Sequence, residues 1–476
     1  MSDPVLIQGG MGAGVSNWRL AQAVSRNGQL GVVSGTALDG IFVCRLQEGD
    51  RGGHMRRALG HIPVPGLADE ILSRYYKPGG KKDSEPYRHS MFKHNSDLAL
   101  LKLTVAANFV EVYLAKEGHG GVVGVNYLEK IQLPTLPSLY GAMLAGVDYV
   151  LMGAGVPRTI PGILDKLSNH QDVSLKLNVD GATAEDNFEV SFDPRLLNTD
   201  LNTTLKRPKF LGIVSSAALA ATLAKKSNGR IDGFVIENPT AGGHNAPPRG
   251  NLQLDENGEP IYGQRDTVDL DEVKKLGLPF WLAGSFNTPE KFQEAIALGA
   301  NGIQVGTLFA FCRESGIEEQ LKRCILEKAL SGNLEVFTDP LASPTGFPFK
   351  VVELEGSLSE KDVYESRPRV CNLGYLRSAY KKEDGSLGFR CPGEPVDQYL
   401  RKGGKVEDTI GRKCLCNGLV ANIGFPQVQK NGYVEKVLVT SGSEIQHIAE
   451  LVKSGEDSYC ATAVIDYLLG YCCDAV

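Results

Sequence analysis

Gly233-Phe234-Val235-Ile236-Glu237 is a short apolar run, followed closely by Ala241-Gly242-Gly243-His244-Asn245-Ala246-Pro247-Pro248-Arg249-Gly250. The first stretch has the composition of a buried strand. The second opens the strand's carboxyl end into two glycines and a histidine. Glycine permits positive φ and carries no Cβ, so a flat ligand can lie against bare backbone there. Asn245 and the two prolines then stiffen an irregular loop. A Gly-Gly-His beside a buried strand costs conformational entropy, and a functional site is the reading that accounts for it.

Working outward, the same unit recurs. Eight short apolar runs, at residues 5–9, 31–35, 121–126, 149–153, 210–215, 233–237, 280–284 and 302–306, alternate with amphipathic segments. That alternation marks βα units and a parallel sheet. Ser16 is placed to cap a helix over 17–27, Ser216 one over 217–226, and Thr288-Pro289 one that follows. Eight units predict a (β/α)8 barrel within residues 1–330, with insertions at about 47–95 and 173–205. Residues 173–192 alternate apolar and polar, which predicts a β-hairpin excursion. The βα rhythm stops near Ser331, and residues 339–476 are expected to form a mostly helical C-terminal lobe, with helices over 443–454 and 459–469.

The chain has 476 residues, 50 basic and 56 acidic side chains, and a formal charge of −6. This mildly acidic balance argues against nucleic-acid binding. Apolar runs are interrupted before about 18 residues, so no membrane span is expected. Ten cysteines without a secretion signal predict reduced thiols and a cytoplasmic protein. The oligomeric state, a homodimer included, is not legible.

In a barrel, active sites lie at the carboxyl ends of the strands. The first ends in Gln8-Gly9-Gly10-Met11-Gly12-Ala13-Gly14, a turn whose N–H groups suit a flat ligand. The third ends in Asn126, an amide suited to the polar edge of such a ring. Glu237 ends the sixth and is a candidate acceptor for a ligand hydroxyl. Gly284 and Ser285 at the seventh, with Gly306 and Thr307 at the eighth, predict a phosphate site. His244, with Gly242 and Gly243, is the candidate proton donor or polarising group. Cys371, Cys391, Cys414 and Cys416 cluster in the lobe, but their gaps do not match a zinc spacing and no metal is assigned. The basic stretches 51–57 and 77–82 read as solvated faces that could also receive an anionic partner.

These motifs resemble a known family. Gln8-Gly9-Gly10-Met11, Ala241-Gly242-Gly243-His244 and Gly299-Ala300-Asn301-Gly302-Ile303-Gln304-Val305-Gly306-Thr307 are similar to the nitronate monooxygenase (2-nitropropane dioxygenase) family. That family includes the flavin-dependent enoyl-acyl carrier protein reductases, and its members are FMN-binding barrels. Segments 56–65, 76–81 and 411–419 resemble the PfaD-type branch, the trans-acting enoyl reductases of polyunsaturated fatty acid and polyketide synthases. The resemblance implies FMN against Gly9, Gly10, Met11, Asn126, Glu237 and Gly242, with its phosphate at Gly284, Gly306 and Thr307. It departs at Glu237, where the family often has Gln, and at Ser285, where it often has a second Gly. The expected activity is NAD(P)H-driven reduction of enoyl thioesters on an acyl carrier protein. The rival readings are oxidation of alkyl nitronates by O2 and a non-catalytic flavin-binding synthase subunit.

Overall fold

The computed structural model describes residues 3–197 and 203–470. Eight parallel strands form one sheet: β1 (Leu6–Gln8), β2 (Gly31–Ser34), β3 (Val123–Leu128), β4 (Tyr149–Gly153), β5 (Lys209–Val214), β6 (Gly233–Glu237), β7 (Phe280–Ala283) and β8 (Gly302–Val305). Around the sheet the order is β1-β8-β7-β6-β5-β4-β3-β2, so each strand pairs with its neighbour in sequence and β1 with β8, Leu6 opposite Ile303. Ile7 bridges to Leu30, and the Leu30 N–H donates to the Leu6 carbonyl at 3.1 Å, bringing the β1 and β2 edges together. All eight expected strands are present. Most are buried along their whole length, as a sheet covered on both faces requires.

The barrel floor is a packed plug. Ile7, Val32, Leu151, Leu211, Val235 and Trp281 interdigitate there, and the Trp281 indole N–H donates to the Pro4 carbonyl at 2.8 Å. Open space therefore lies at the strands' carboxyl ends.

Ser216 caps the helix Ala217–Lys226 and Thr288 caps Pro289–Ala297. The first helix differs from expectation. Its cap is Asn17, whose side chain accepts from the Leu20 N–H, and the helix is Trp18–Arg26. Ser16 turns inward instead and shapes the first glycine loop. The helix Leu98–Lys116 is long and apolar enough to cross a membrane, a length the interrupted-run reading missed. In this fold it is a core helix, packed against the helices Trp18–Arg26 and Thr135–Leu144, with Leu103, Ala106, Phe109 and Val110 fully covered.

The first insertion carries the short helices His54–Leu59 and Leu67–Tyr75. Its basic side chains are largely paired within the chain, Arg56 with Asp50 at 3.0 Å and Lys77 with Glu85 at 2.7 Å. The second insertion is the expected antiparallel hairpin, Val173–Lys176 against Glu189–Phe192; its residues 198–202 lie outside the described residues.

The lobe is less helical than its sequence suggests. It contains two hairpins, Val336–Asp339 with Phe349–Val352 and Ser378–Lys381 with Leu387–Arg390. The stretch expected to be helical over 443–454 is a 3-10 segment, Ile445–Leu451. The expected final helix forms as Ala461–Leu469, and residues 471–476 lie outside the description. Nor does the lobe stand apart. Ser378–Lys381 pairs with Val179–Asp180 of the second insertion, and the final helix packs back on Trp18–Arg26.

Candidate active site

The glycine turn after β1 is built by buried polar groups. Ser16 Oγ donates to the Gly9 carbonyl at 2.8 Å and accepts from the Met11 N–H at 2.9 Å. Gln8 Nε2 donates to Ser16 Oγ at 2.8 Å, while Gln8 Oε1 accepts from the Val32 N–H at 3.0 Å. The turn is thereby fixed with its backbone facing the barrel mouth. Asn126 on β3 crosses beneath it, Nδ2 donating to the Gly10 carbonyl at 3.3 Å. A Cβ on Gly10 would lie 2.4 Å from the Asn126 Cβ, so that glycine is demanded by the amide packed against it.

Gly9, Gly10, Met11, Asn126, Glu237, Gly242, Gly243, His244, Gly284, Ser285, Gly306 and Thr307 all line a single cavity at the mouth. Its interior volume is about 230 Å³ when the open mouth is left out. Four polar atoms on its wall lack hydrogen-bond partners among the described residues: Asn126 Oδ1, Asn287 Oδ1, Gln304 Oε1 and Ser441 Oγ. Buried polar groups are nearly always satisfied, so a wall with four orphans is shaped for a polar ligand.

The Gly-Gly-His loop is held by the lobe. His244 bridges antiparallel to Phe349, and the Lys350 N–H donates to the Gly243 carbonyl at 3.0 Å. Phe349 meets the imidazole edge-on, ring centres 4.9 Å apart. His244 Nε2 lies 2.7 Å from Ser343 Oγ, a residue of the lobe. Desolvation, with the Lys130 ammonium nearby, pushes the imidazole down to about 4, so it is neutral at physiological pH. Glu237 moves the other way: burial raises its carboxyl to about 7, so protonated and ionised forms coexist near neutrality. The two groups are thus a neutral imidazole and a carboxyl poised to exchange a proton.

The sixth and eighth strand ends are joined by the lobe segment at 440–444. The Gly442 N–H donates to Thr307 Oγ1 at 3.0 Å, and the Ser443 N–H donates to the Thr240 carbonyl at 3.0 Å. Ser285 donates to Thr240 Oγ1 at 2.9 Å. Its backbone is left-handed, φ 60°, the conformation a glycine holds without cost. The departure from a second glycine therefore exchanges backbone ease for a hydroxyl. Gly242 is required by close approach, since a Cβ there would stand 2.8 Å from the Ser441 carbonyl carbon.

All twelve expected residues meet at one cavity. Sequence reasoning missed Gln304, Ser343, Ser441 and Cys416. Gln304 had a signal, as a polar residue inside the apolar run of β8. The lobe residues had none, because no βα rhythm says which part of the lobe returns to the mouth.

A family model described as nitronate monooxygenase matches residues 174–339, the span that holds β5 to β8 and the His244 loop. The chain is 30% identical over 204 residues to a nitronate monooxygenase of Paraburkholderia phytofirmans, covering 42% of this chain and 52% of that protein. It is 27% identical over 157 residues to a 5-hydroxy-7a-methyl-1-oxo-octahydro-1H-indene-4-carboxyl-CoA dehydrogenase of Mycobacterium tuberculosis, covering 33% of this chain and 39% of that one. The chain therefore spans about half, or less, of the length of these two curated relatives. Among solved structures, the enoyl reductase domain of MlnA from Bacillus amyloliquefaciens superposes with a TM-score of 0.49 at 11% identity, over 98% of this chain and 93% of that one. The likeness to the nitronate monooxygenase family is thus shown for residues 174–339, the second half of the barrel.

Proposed function

We propose that the mouth cavity holds FMN and that the chain is an oxidoreductase reducing enoyl thioesters at the expense of NAD(P)H. The cavity fits the group. The Gly9–Met11 turn offers backbone to a flat ring, and Asn126 and Gln304 bring unpartnered carbonyl oxygens to the same wall. Gly284, Ser285, Gly306 and Thr307 would hold the phosphate, joined by the unpartnered Ser441 hydroxyl. Bound FMN would supply hydride transfer; the protein supplies position and electrostatics.

The neutral His244 carries this reading. In the tautomer that accepts from Ser343 at Nε2, the ring proton sits on Nδ1 and the neutral imidazole donates from there. A donor of that kind suits a thioester oxygen on which charge develops. The open mouth admits an acyl chain, and an acyl carrier protein is its proposed bearer. A relative that by name acts on a carboxyl-CoA supports a thioester substrate.

The family match over residues 174–339 favours a second reading, oxidation of alkyl nitronates by O2. One experiment separates them. The purified protein should be yellow and release FMN; anaerobic NAD(P)H should bleach it, and a crotonyl thioester should restore the colour. Bleaching by an alkyl nitronate, with no thioester response, would give the case to nitronate oxidation. Response to neither would leave a non-catalytic flavin-binding subunit.

A further inference from the structure

Cys371, Cys391, Cys414 and Cys416 come from three stretches of the lobe and line one small cavity, with Arg377 beside them. All four are free thiols.

A second observation points to negative charge. The Arg367 side chain is 1% exposed. Its Nε and Nη2 bind Glu435 at 2.6 Å, but Nη1 has no hydrogen-bond partner among the described residues. Its guanidinium acts electrostatically on Cys414. A buried cationic N–H left without an acceptor is costly; a charged sulfur centre beside it removes that cost.

A single ion does not fit. Among the described residues no three His, Cys, Asp or Glu side chains converge on a metal-ion site, as zinc with its ~2.3 Å bonds to sulfur would require. The thiols instead border one small cavity, and four cysteine thiolates around a common centre are the ligand set of an iron–sulfur cluster. We propose that Cys371, Cys391, Cys414 and Cys416 hold an iron–sulfur cluster. Assembly from ferric and ferrous iron with sulfide, at unchanged oxidation state, would release the four thiol protons to water as Fe–S bonds form. Cys416 also lines the mouth cavity, so the cluster would adjoin the proposed flavin pocket.

The test is to purify the full chain without oxygen and assay iron, acid-labile sulfide and flavin separately. The expected result is about two to four iron per chain with matching sulfide, and an electron paramagnetic signal on reduction by dithionite. Cys391→Ser should lose most of the iron and sulfide. Cys44→Ser, a buried free thiol elsewhere in the chain, should keep them. Absence of iron and sulfide after reconstitution with ferric and ferrous iron and sulfide would overturn the proposal, as would one zinc per chain that Cys391→Ser removes. If Cys391→Ser fails to fold, the wild-type assay decides alone. Flavin without iron would sink the cluster and spare the flavin reading; iron and sulfide without flavin would do the reverse.

Discussion

The barrel and the C-terminal lobe build the same cavity by different means. The barrel contributes strand ends whose positions follow from a repeating unit: the β1 turn, Asn126, Glu237, the Gly-Gly-His loop and the glycines after β7 and β8. The lobe contributes no repeat. It reaches the mouth through irregular segments, Ser343 on His244, Phe349 against the same ring, and the Gly442 N–H on Thr307. The difference teaches that a barrel can supply the chemical groups while a non-repeating appendage decides their orientation and protonation. Predictions that separate the two contributions test that division.

The largest effect belongs to the barrel side. His244→Ala should lower thioester turnover by about 100-fold, the scale of losing a positioned proton-transfer or donor group, while FMN stays bound. Because the ring is already neutral, an inflection in the wild-type kcat/KM profile across pH 5–8 should be that of Glu237 near 7, and Glu237→Gln should abolish it. Unchanged turnover in His244→Ala would break the comparison by removing chemistry from the loop.

Gly242→Ala addresses the seam itself. The new Cβ would press on the backbone of Ser441 and Gly442 at 2.8–2.9 Å, which no side-chain rotation relieves. Overpacking of this kind costs about 1–3 kcal/mol. The denaturant midpoint should fall and FMN should bind more weakly. A variant as stable as the parent, with undiminished FMN affinity, would mean the lobe segment can move away from the barrel without consequence.

How much of this was readable in the sequence follows the same division. The eight strands stand where their apolar runs place them, because a strand covered on both faces must be apolar throughout and its carboxyl end must turn. Every candidate residue at those ends reached the cavity for the same reason. Ser16 misled, since a serine before a helix resembles a cap, yet its hydroxyl bonds Gly9 and Met11 and Asn17 caps instead. Ser343 and Ser441 were silent, because their roles depend on long-range contacts between the lobe and β6 to β8. The four cysteines show the limit most clearly. Their spacing matches no zinc motif, and only folding brings 371, 391, 414 and 416 to one cavity.

Glu237 provides a pH test of the barrel wall. Its carboxyl is raised by burial to about 7 from an ordinary value near 4.5, so the folded protein holds this proton more tightly than the unfolded chain. Between pH of about 4.5 and 7 the unfolded chain has released the proton and the fold has not, so this residue's contribution to stability falls as pH rises. His244, lowered to about 4, acts oppositely and adds stability as pH rises from about 4 to 6.5. Glu237→Gln should therefore gain on the wild type, without FMN, as pH rises through 4.5–7, measured by urea denaturation at each pH. A constant difference would show that the carboxyl is solvated at the cavity wall.

Ser343→Ala carries the smallest expected effect and speaks for the lobe. The hydroxyl sits 2.7 Å from His244 Nε2 and is itself anchored by Thr345 Oγ1 at 2.8 Å. Removing it deletes one hydrogen bond, worth about 1 kcal/mol, and leaves the imidazole free to hold its proton on either nitrogen. Turnover should fall by about five- to tenfold, well short of the His244→Ala loss, with KM for the thioester little changed. Combined with His244→Ala the substitution should add nothing, because the hydroxyl acts only through the ring. Additive losses in the double variant would place Ser343 in contact with the substrate, and the lobe would then supply chemistry as well as orientation.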